Sequence, residues 1–180
     1  MFMIIVGAVA LLVVGLLVLA ATRPRGFNVE RSIRVDAPPE AVFPLINDFH
    51  RWDRWSPWEK VDPAMTRSYS GAERGRGAVY EWAGNSKVGA GRMEITDSTP
   101  PNSLTVKLDF LRPFEGHNVA SFAVDPLNDA SRVTWAMRGP SPYMMRVMGL
   151  FVSMDKLVGK DFEKGLVNLK AVAEVPAARS

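Results

Sequence analysis

The chain has 180 residues, 47% hydrophobic and 23% charged, with a net charge of +3. That length supports one domain with a real core plus an appendage. The charge is too slight and too mixed to argue for nucleic acid. With no cysteine and only two, widely separated histidines, the chain has no disulfide framework, no thiol nucleophile and no zinc-type ligand set.

Phe2 to Ala21 carries no charge and no proline. At about 1.5 Å rise per residue, twenty such residues cover about 30 Å, the hydrocarbon thickness of a bilayer. A transmembrane helix over 2–21 is expected. A cleaved signal peptide is the other reading, but its apolar core is shorter and follows a basic segment. Here the apolar run begins at residue 2, and Ala20 and Ala21 are the only hint of a cleavage site. A short linker, 22–26, holds Arg23 and Arg25. Cations beside a span favour the cytoplasmic side, which predicts a single-pass protein with its soluble domain inside the cell. A mildly basic domain also suits anionic headgroups.

Residues 27–175 read as one domain. Phe27, Val29, Ile33 and Val35 alternate with polar residues as a half-buried strand, and Arg31 is the misfit on its apolar face. Pro38, Pro39 and Glu40 open a helix whose apolar face includes Val42, Phe43, Leu45, Ile46 and Phe49; Pro44 keeps it short or kinks it. Trp52, Trp55 and Trp58 follow within seven residues. They form either an aromatic wall for an apolar ligand or a plug closing one end of the core.

From Arg67 to Arg138 about six strands alternate with turns. Gly84-Asn85-Ser86 reads as a hairpin, Pro126–Ser131 as a loop, and Gly89 and Gly91 mark space or a bulge on an inward face. Short connections imply an antiparallel meander. From about Pro142 to Val175 a stripe of Val147, Phe151, Met154, Val158, Phe162, Leu166, Leu169 and Val172 predicts one long amphipathic helix, interrupted only by Gly159 and Gly165. Met144, Met145 and Met148 lie at its start, where an entrance would sit. The tail, 176–180, is expected to fray.

Strands segregated from helices argue for an α+β fold. Ala37-Pro38-Pro39-Glu40-Ala41-Val42-Phe43 after the first strand, the Trp55-Ser56-Pro57-Trp58 turn and the closing amphipathic helix together resemble the START-like (SRPBCC) superfamily. More narrowly, the chain looks like its polyketide cyclase/dehydrase and lipid-transport branch, over roughly Phe27 to Glu174. The resemblance implies a helix-grip (Bet v 1-like) fold: a bent antiparallel sheet around the C-terminal helix, with an apolar cavity between them. It further implies a hydrophobic small molecule, lipid or polyketide-like, as ligand. No catalytic set is common to the family.

Candidate cavity walls follow from the alternation and the helix stripe. Trp82, Met93, Leu108, Phe110, Trp135 and Met137 come from the strands. Phe151, Met154 and Val158 come from the long helix, with Trp55 and Trp58 at one end. Each such residue is more often plain core than ligand contact. Gly139-Pro140-Ser141-Pro142-Tyr143 lacks the final glycine of a nucleophile elbow, and the Gly-x-Gly pairs precede no helix. Acid–base chemistry rests on Glu81, His117 and Tyr80. A carboxylate in an apolar cavity would have a raised pKa and could move protons. If instead Tyr80 and Trp82 face inward, Glu81 is solvated outside.

Three readings follow. The first is a membrane-anchored binding module without its own catalytic centre. The second is a cyclase/dehydratase-type enzyme, and the third a protein-interaction domain. No cofactor, metal or nucleic acid is expected, and the sequence carries no signal for oligomeric state.

Overall fold

The computed structural model describes residues 1–175, so the tail expected to fray lies outside the described residues. The N-terminal apolar run forms α1, Phe2–Thr22. It is apolar on every side and mostly exposed; among its described residues Ala20, near its C-terminal end, is the one that is buried. β1 (Gly26–Val35) leads to α2 (Pro39–Ile46) and to two 3-10 turns, Phe49–Arg54 and Pro57–Lys60. Pro39 fills a first-turn position, and the internal Pro44 accompanies a helix of only 8 residues. Then come β2 (Thr66–Gly71), β3 (Ala78–Ala83), β4 (Ala90–Thr99), β5 (Ser103–Arg112), β6 (Gly116–Leu127) and β7 (Ala130–Pro140). Two helices close the chain: α3 (Tyr143–Met148) and α4 (Met154–Ala173).

The seven strands form one antiparallel sheet in the order β1-β7-β6-β5-β4-β3-β2. The meander from β2 to β7 is closed by β1, which pairs with β7 from Gly26↔Pro140 to Val35↔Ser131. The bent sheet and the long helix α4 make this the α+β helix-grip fold.

The concave face is filled unevenly along the strands. At the end near the β6–β7 turn, Ile95, Leu104, Val106, Phe122, Val124 and Val133 are at most 1% exposed. Val42, Phe43, Leu45, Ile46 and Phe49 of α2 and the first 3-10 turn belong to the same buried cluster. At the other end the inward-facing Trp82, Met93, Leu108 and Phe110 are only half-buried. The core therefore plugs one half of the sheet and leaves the other open.

Three local expectations are corrected. The C-terminal helix is not continuous: α3 ends at Gly149, and α4 restarts behind Ser153, whose hydroxyl accepts from the Lys156 N–H at 3.3 Å. The Pro126–Ser131 loop is a tight hairpin. Both strands run into it, leaving Asn128-Asp129 at the tip and Asn128 at φ 55. The Gly84-Asn85-Ser86 hairpin is wider than read, since the Gly84 N–H donates to the Gly89 carbonyl and β4 begins only at Ala90.

Arg31, the misfit of β1, lies against α4. Its guanidinium donates to Asp155 and Glu163 at 2.7 Å each. Gly159 leaves room for it, since a Cβ there would stand 2.3 Å from Arg31 Nη2. One turn and a half further, a Cβ on Gly165 would stand 2.8 Å from the Trp135 ring and 3.1 Å from Pro57. The two helix-weakening glycines are the points where α4 seats closest.

Candidate ligand-binding cavity

The open half of the sheet encloses a cavity of about 240 Å³ between the strands, the second 3-10 turn and α4. Trp82 of β3, Met93 of β4, Leu108 and Phe110 of β5, and Trp135 and Met137 of β7 line it. Trp58 and the α4 residues Val158 and Phe162 complete the wall. Trp135 is stacked on Phe162 with ring centroids 4.1 Å apart, and Trp58 stands edge-on to it at 89°. Gly91 allows Trp82 to lie flat across the strand, since a Cβ there would meet the indole at 2.4 Å. The Trp82 N–H donates to the Val88 carbonyl at 3.1 Å, tying the ring to the β3–β4 hairpin, which contributes Val88 and Lys87 to the wall.

The tryptophan cluster divides between the two roles foreseen for it. Trp52 and Trp55 donate their indole N–H groups to the Ile46 and Leu45 carbonyls, at 3.0 and 2.9 Å. They thereby satisfy end carbonyls of α2 that have no helical partner. Trp55 is 1% exposed and does not line the cavity; it is core. Trp52 touches the cavity from behind, and Trp58 is wall.

Two helix residues expected in the wall also lie elsewhere. Phe151 is 72% exposed, because the chain breaks between α3 and α4 and carries it away from the stripe. Met154 packs against the core at the first turn of α4, outside the cavity lining.

The three acid–base candidates are not brought together. Tyr80 and Trp82 point inward, so Glu81 points outward, with its side chain half exposed and Arg92 3.9 Å away. His117 lies on the outer face as well, its ring nitrogen 2.7 Å from the buried Asp109 carboxylate and its side chain 65% exposed. Only Tyr80 reaches the cavity. Its hydroxyl donates to Glu59 at 2.6 Å. Burial, and then that hydrogen bond, push the phenol well above its usual range, so it stays protonated and acts as a donor.

Glu59 is the polar residue the sequence did not single out. Its side chain is 7% exposed, and its carboxylate accepts from Arg67 Nε at 2.7 Å as well as from Tyr80. Arg67 also donates to the Glu59 and Met65 carbonyls. The network pins the second 3-10 turn to β2 and β3 and sets a paired carboxylate at the cavity's side. The only signal for it was a glutamate placed directly after Trp58.

The chain can thus enclose a small, mostly apolar molecule. Among the described residues that line it, Tyr80, Glu59, Ser56 and Lys87 are the polar or charged ones. Among the described residues no cluster of histidines and carboxylates is arranged to hold a metal.

Comparison with known proteins agrees with this architecture. No curated protein matches the chain in sequence. Among solved structures, protein CV1439 from Chromobacterium violaceum superposes with a TM-score of 0.57 at 14% identity, over 84% of this chain and 99% of its own. The Aha1 dimer from Colwellia psychrerythraea gives 0.60 at 14% identity, over 83% and 97%. Ara h 8.0201 gives 0.57 at 11% identity, over 82% and 97%. These likenesses establish the fold. The family model for polyketide cyclase / dehydrase and lipid transport matches residues 26–174, the whole of the sheet and α4, and the chain belongs to that family.

Proposed function

We propose that the protein is a membrane-held module that binds a hydrophobic small molecule in the open half of its sheet. The observation that carries this is the aromatic and aliphatic cavity of about 240 Å³ between the open half of the sheet and α4. An apolar side chain exposed to an empty, water-accessible space forgoes about 25 cal/mol per Å² of burial. A ligand that covers Trp58, Trp82, Phe110 and Val158 recovers it. Lys87 and the Glu59–Tyr80 pair give the ligand a polar end.

Anchoring is supported by α1. Its 20-residue stretch from Met3 to Thr22 is long and apolar enough to cross a bilayer and is almost wholly exposed. Lipid is an environment that stabilises an exposed apolar surface of this length. Arg23 and Arg25 favour the cytoplasmic side for the domain.

The test is to purify the full chain in lipid nanodiscs, denature it, and analyse the released small molecules by mass spectrometry. A stoichiometric hydrophobic compound beyond the nanodisc lipid is expected. A chain that releases none, and that fails to take up an apolar fluorescent probe, would overturn the reading.

A further inference from the structure

The strand register brings the open end of the cavity and the root of α1 to the same end of the sheet. Gly26, four residues after α1, pairs with Pro140. Arg138 pairs with Val119, Phe110 with Gly116, and Ala90 with both Arg112 and Ala83. Followed across the sheet, this edge is where Phe110 and the Lys87–Val88 hairpin bound the cavity. The opposite edge holds the Asn128-Asp129 turn and the C-terminal end of α4, where Lys170 donates to the Arg34 carbonyl.

The same end carries apolar side chains that nothing in the domain covers. Phe114 at the β5–β6 turn is 82% exposed and Phe151 is 72% exposed. Met144 and Met148 of α3 are more than half exposed, and α3 has no buried residue at all. α3 is nevertheless fixed in place, against α1. The Tyr143 hydroxyl donates to the Leu17 carbonyl at 2.9 Å, and Arg146 donates to the Ala21 carbonyl at 3.1 Å. Leu17 lies five residues inside the end of α1, about 7–8 Å along its axis. That is the depth, about 5–10 Å, at which an interfacial helix buries its apolar face. A Tyr at that level matches the aromatic belt of membrane proteins. Arg23, Arg25, Lys87 and Arg112, all exposed, would stand at headgroup height; Glu115 is the acid among them.

From this juxtaposition we infer that the open end of the cavity is docked on the bilayer through α3, Phe151 and Phe114. Ligand then passes between lipid and cavity without crossing water, and its class is a bilayer-resident apolar molecule. The occupant of the patch is lipid because the patch is continuous with α1, whose own apolar surface ends at α3. The inference rests on the anchoring proposed above.

Because the chain has no cysteine, single cysteines report position cleanly. Leu12→Cys, Phe114→Cys, Phe151→Cys and Asp129→Cys of the full chain would each carry an environment-sensitive fluorophore in phosphatidylcholine–phosphatidylglycerol vesicles. Lipids bearing a nitroxide at the headgroup or deep on the acyl chain would serve as quenchers. The expected result is loss of Leu12 emission with the deep quencher, loss of Phe114 and Phe151 emission chiefly with the headgroup quencher, and no loss at Asp129. Quenching at Leu12 without quenching at Phe114 and Phe151 overturns the docking and leaves the anchor standing. Blue-shifted but unquenched probes at those two sites assign the patch to a protein partner, and overturn it equally. If Leu12 is not quenched the anchor itself fails; quenching at Phe114 and Phe151 would then still support docking, and its absence would overturn that too.

Discussion

At the scale of single residues, two glycines on one helix carry opposite expectations. Replacing glycine by alanine inside a helix gains up to about 1 kcal/mol of propensity. At Gly159 the nearest atoms to the new methyl would be those of the far end of Arg31, a flexible side chain whose surface ion pairs are worth about 0–1 kcal/mol. Gly159→Ala is therefore expected to be near neutral in thermal unfolding. At Gly165 the methyl would meet the buried Trp135 ring and the Pro57 ring, neither free to swing away. Overpacking of this kind costs about 1–3 kcal/mol, so Gly165→Ala should destabilise and disturb the cavity wall. Equal effects of the two substitutions would contradict the packing described. Asp109 makes a prediction of a different kind. Its burial pushes its pKa up, but hydrogen bonds from His117 and Lys107 outweigh that and hold it below the ordinary 3.8. A carboxylate depressed in the folded state contributes stability that is present above its unfolded pKa and is lost as pH falls toward the folded value. Asp109→Asn should flatten the acid limb of the stability profile below about pH 4, measured by unfolding across pH. An unchanged acid limb would show that the pairing contributes nothing. Arg31 was visible in the sequence as a misfit, but its partners Asp155 and Glu163, more than a hundred residues away, were not. Glu59 was hidden for the same reason: one carboxylate among mixed charges shows its role only when the fold brings Tyr80 and Arg67 to it.

At the scale of elements, the strands were legible because alternation is a property of the strand itself. β1 follows its apolar pattern residue for residue, and β5 does so from Ser103 to Lys107. Inward and outward faces were not legible from one strand alone, and the Tyr80/Glu81 choice needed the register of β3 between β2 and β4. The break before α4 was missed because the apolar stripe continues across it. Gly149 and Ser153, a stop and a start, were the signals that periodicity overrode. Ser153 accepts a long hydrogen bond, so Ser153→Ala is expected to cost toward the lower end of the usual cap range, about 0.5–1 kcal/mol. The cost would be read as a lowered unfolding temperature. A stabilised variant would argue that α3 and α4 run together in solution. The cavity was legible only as a list of apolar residues. Which of them fill the core and which border a void depends on α2 plugging one half of the sheet, a tertiary fact that no local pattern carries.

At the scale of the whole molecule, the open half of the sheet, α1 and the exposed apolar end share one side. A soluble domain with that surface would tend to self-associate, whereas one held at a membrane would not. Removal of residues 1–22 should therefore release the protein from the membrane fraction but leave it prone to aggregation, as seen by sedimentation. A monodisperse, fully soluble product would count against a lipid-facing end. The central claim is that the cavity is the ligand site, and the most direct measurement compares the native chain with Val158→Trp. Val158 faces the cavity from α4 and is half-buried, so a larger ring there fills the void with little demand on the surrounding core. The quantity to measure is the bound hydrophobic molecule released from each purified protein. A stoichiometric compound is expected from the native chain and its loss from Val158→Trp, with the variant still folded and unfolding cooperatively. Equal amounts released from both proteins would place the ligand elsewhere and contradict the claim.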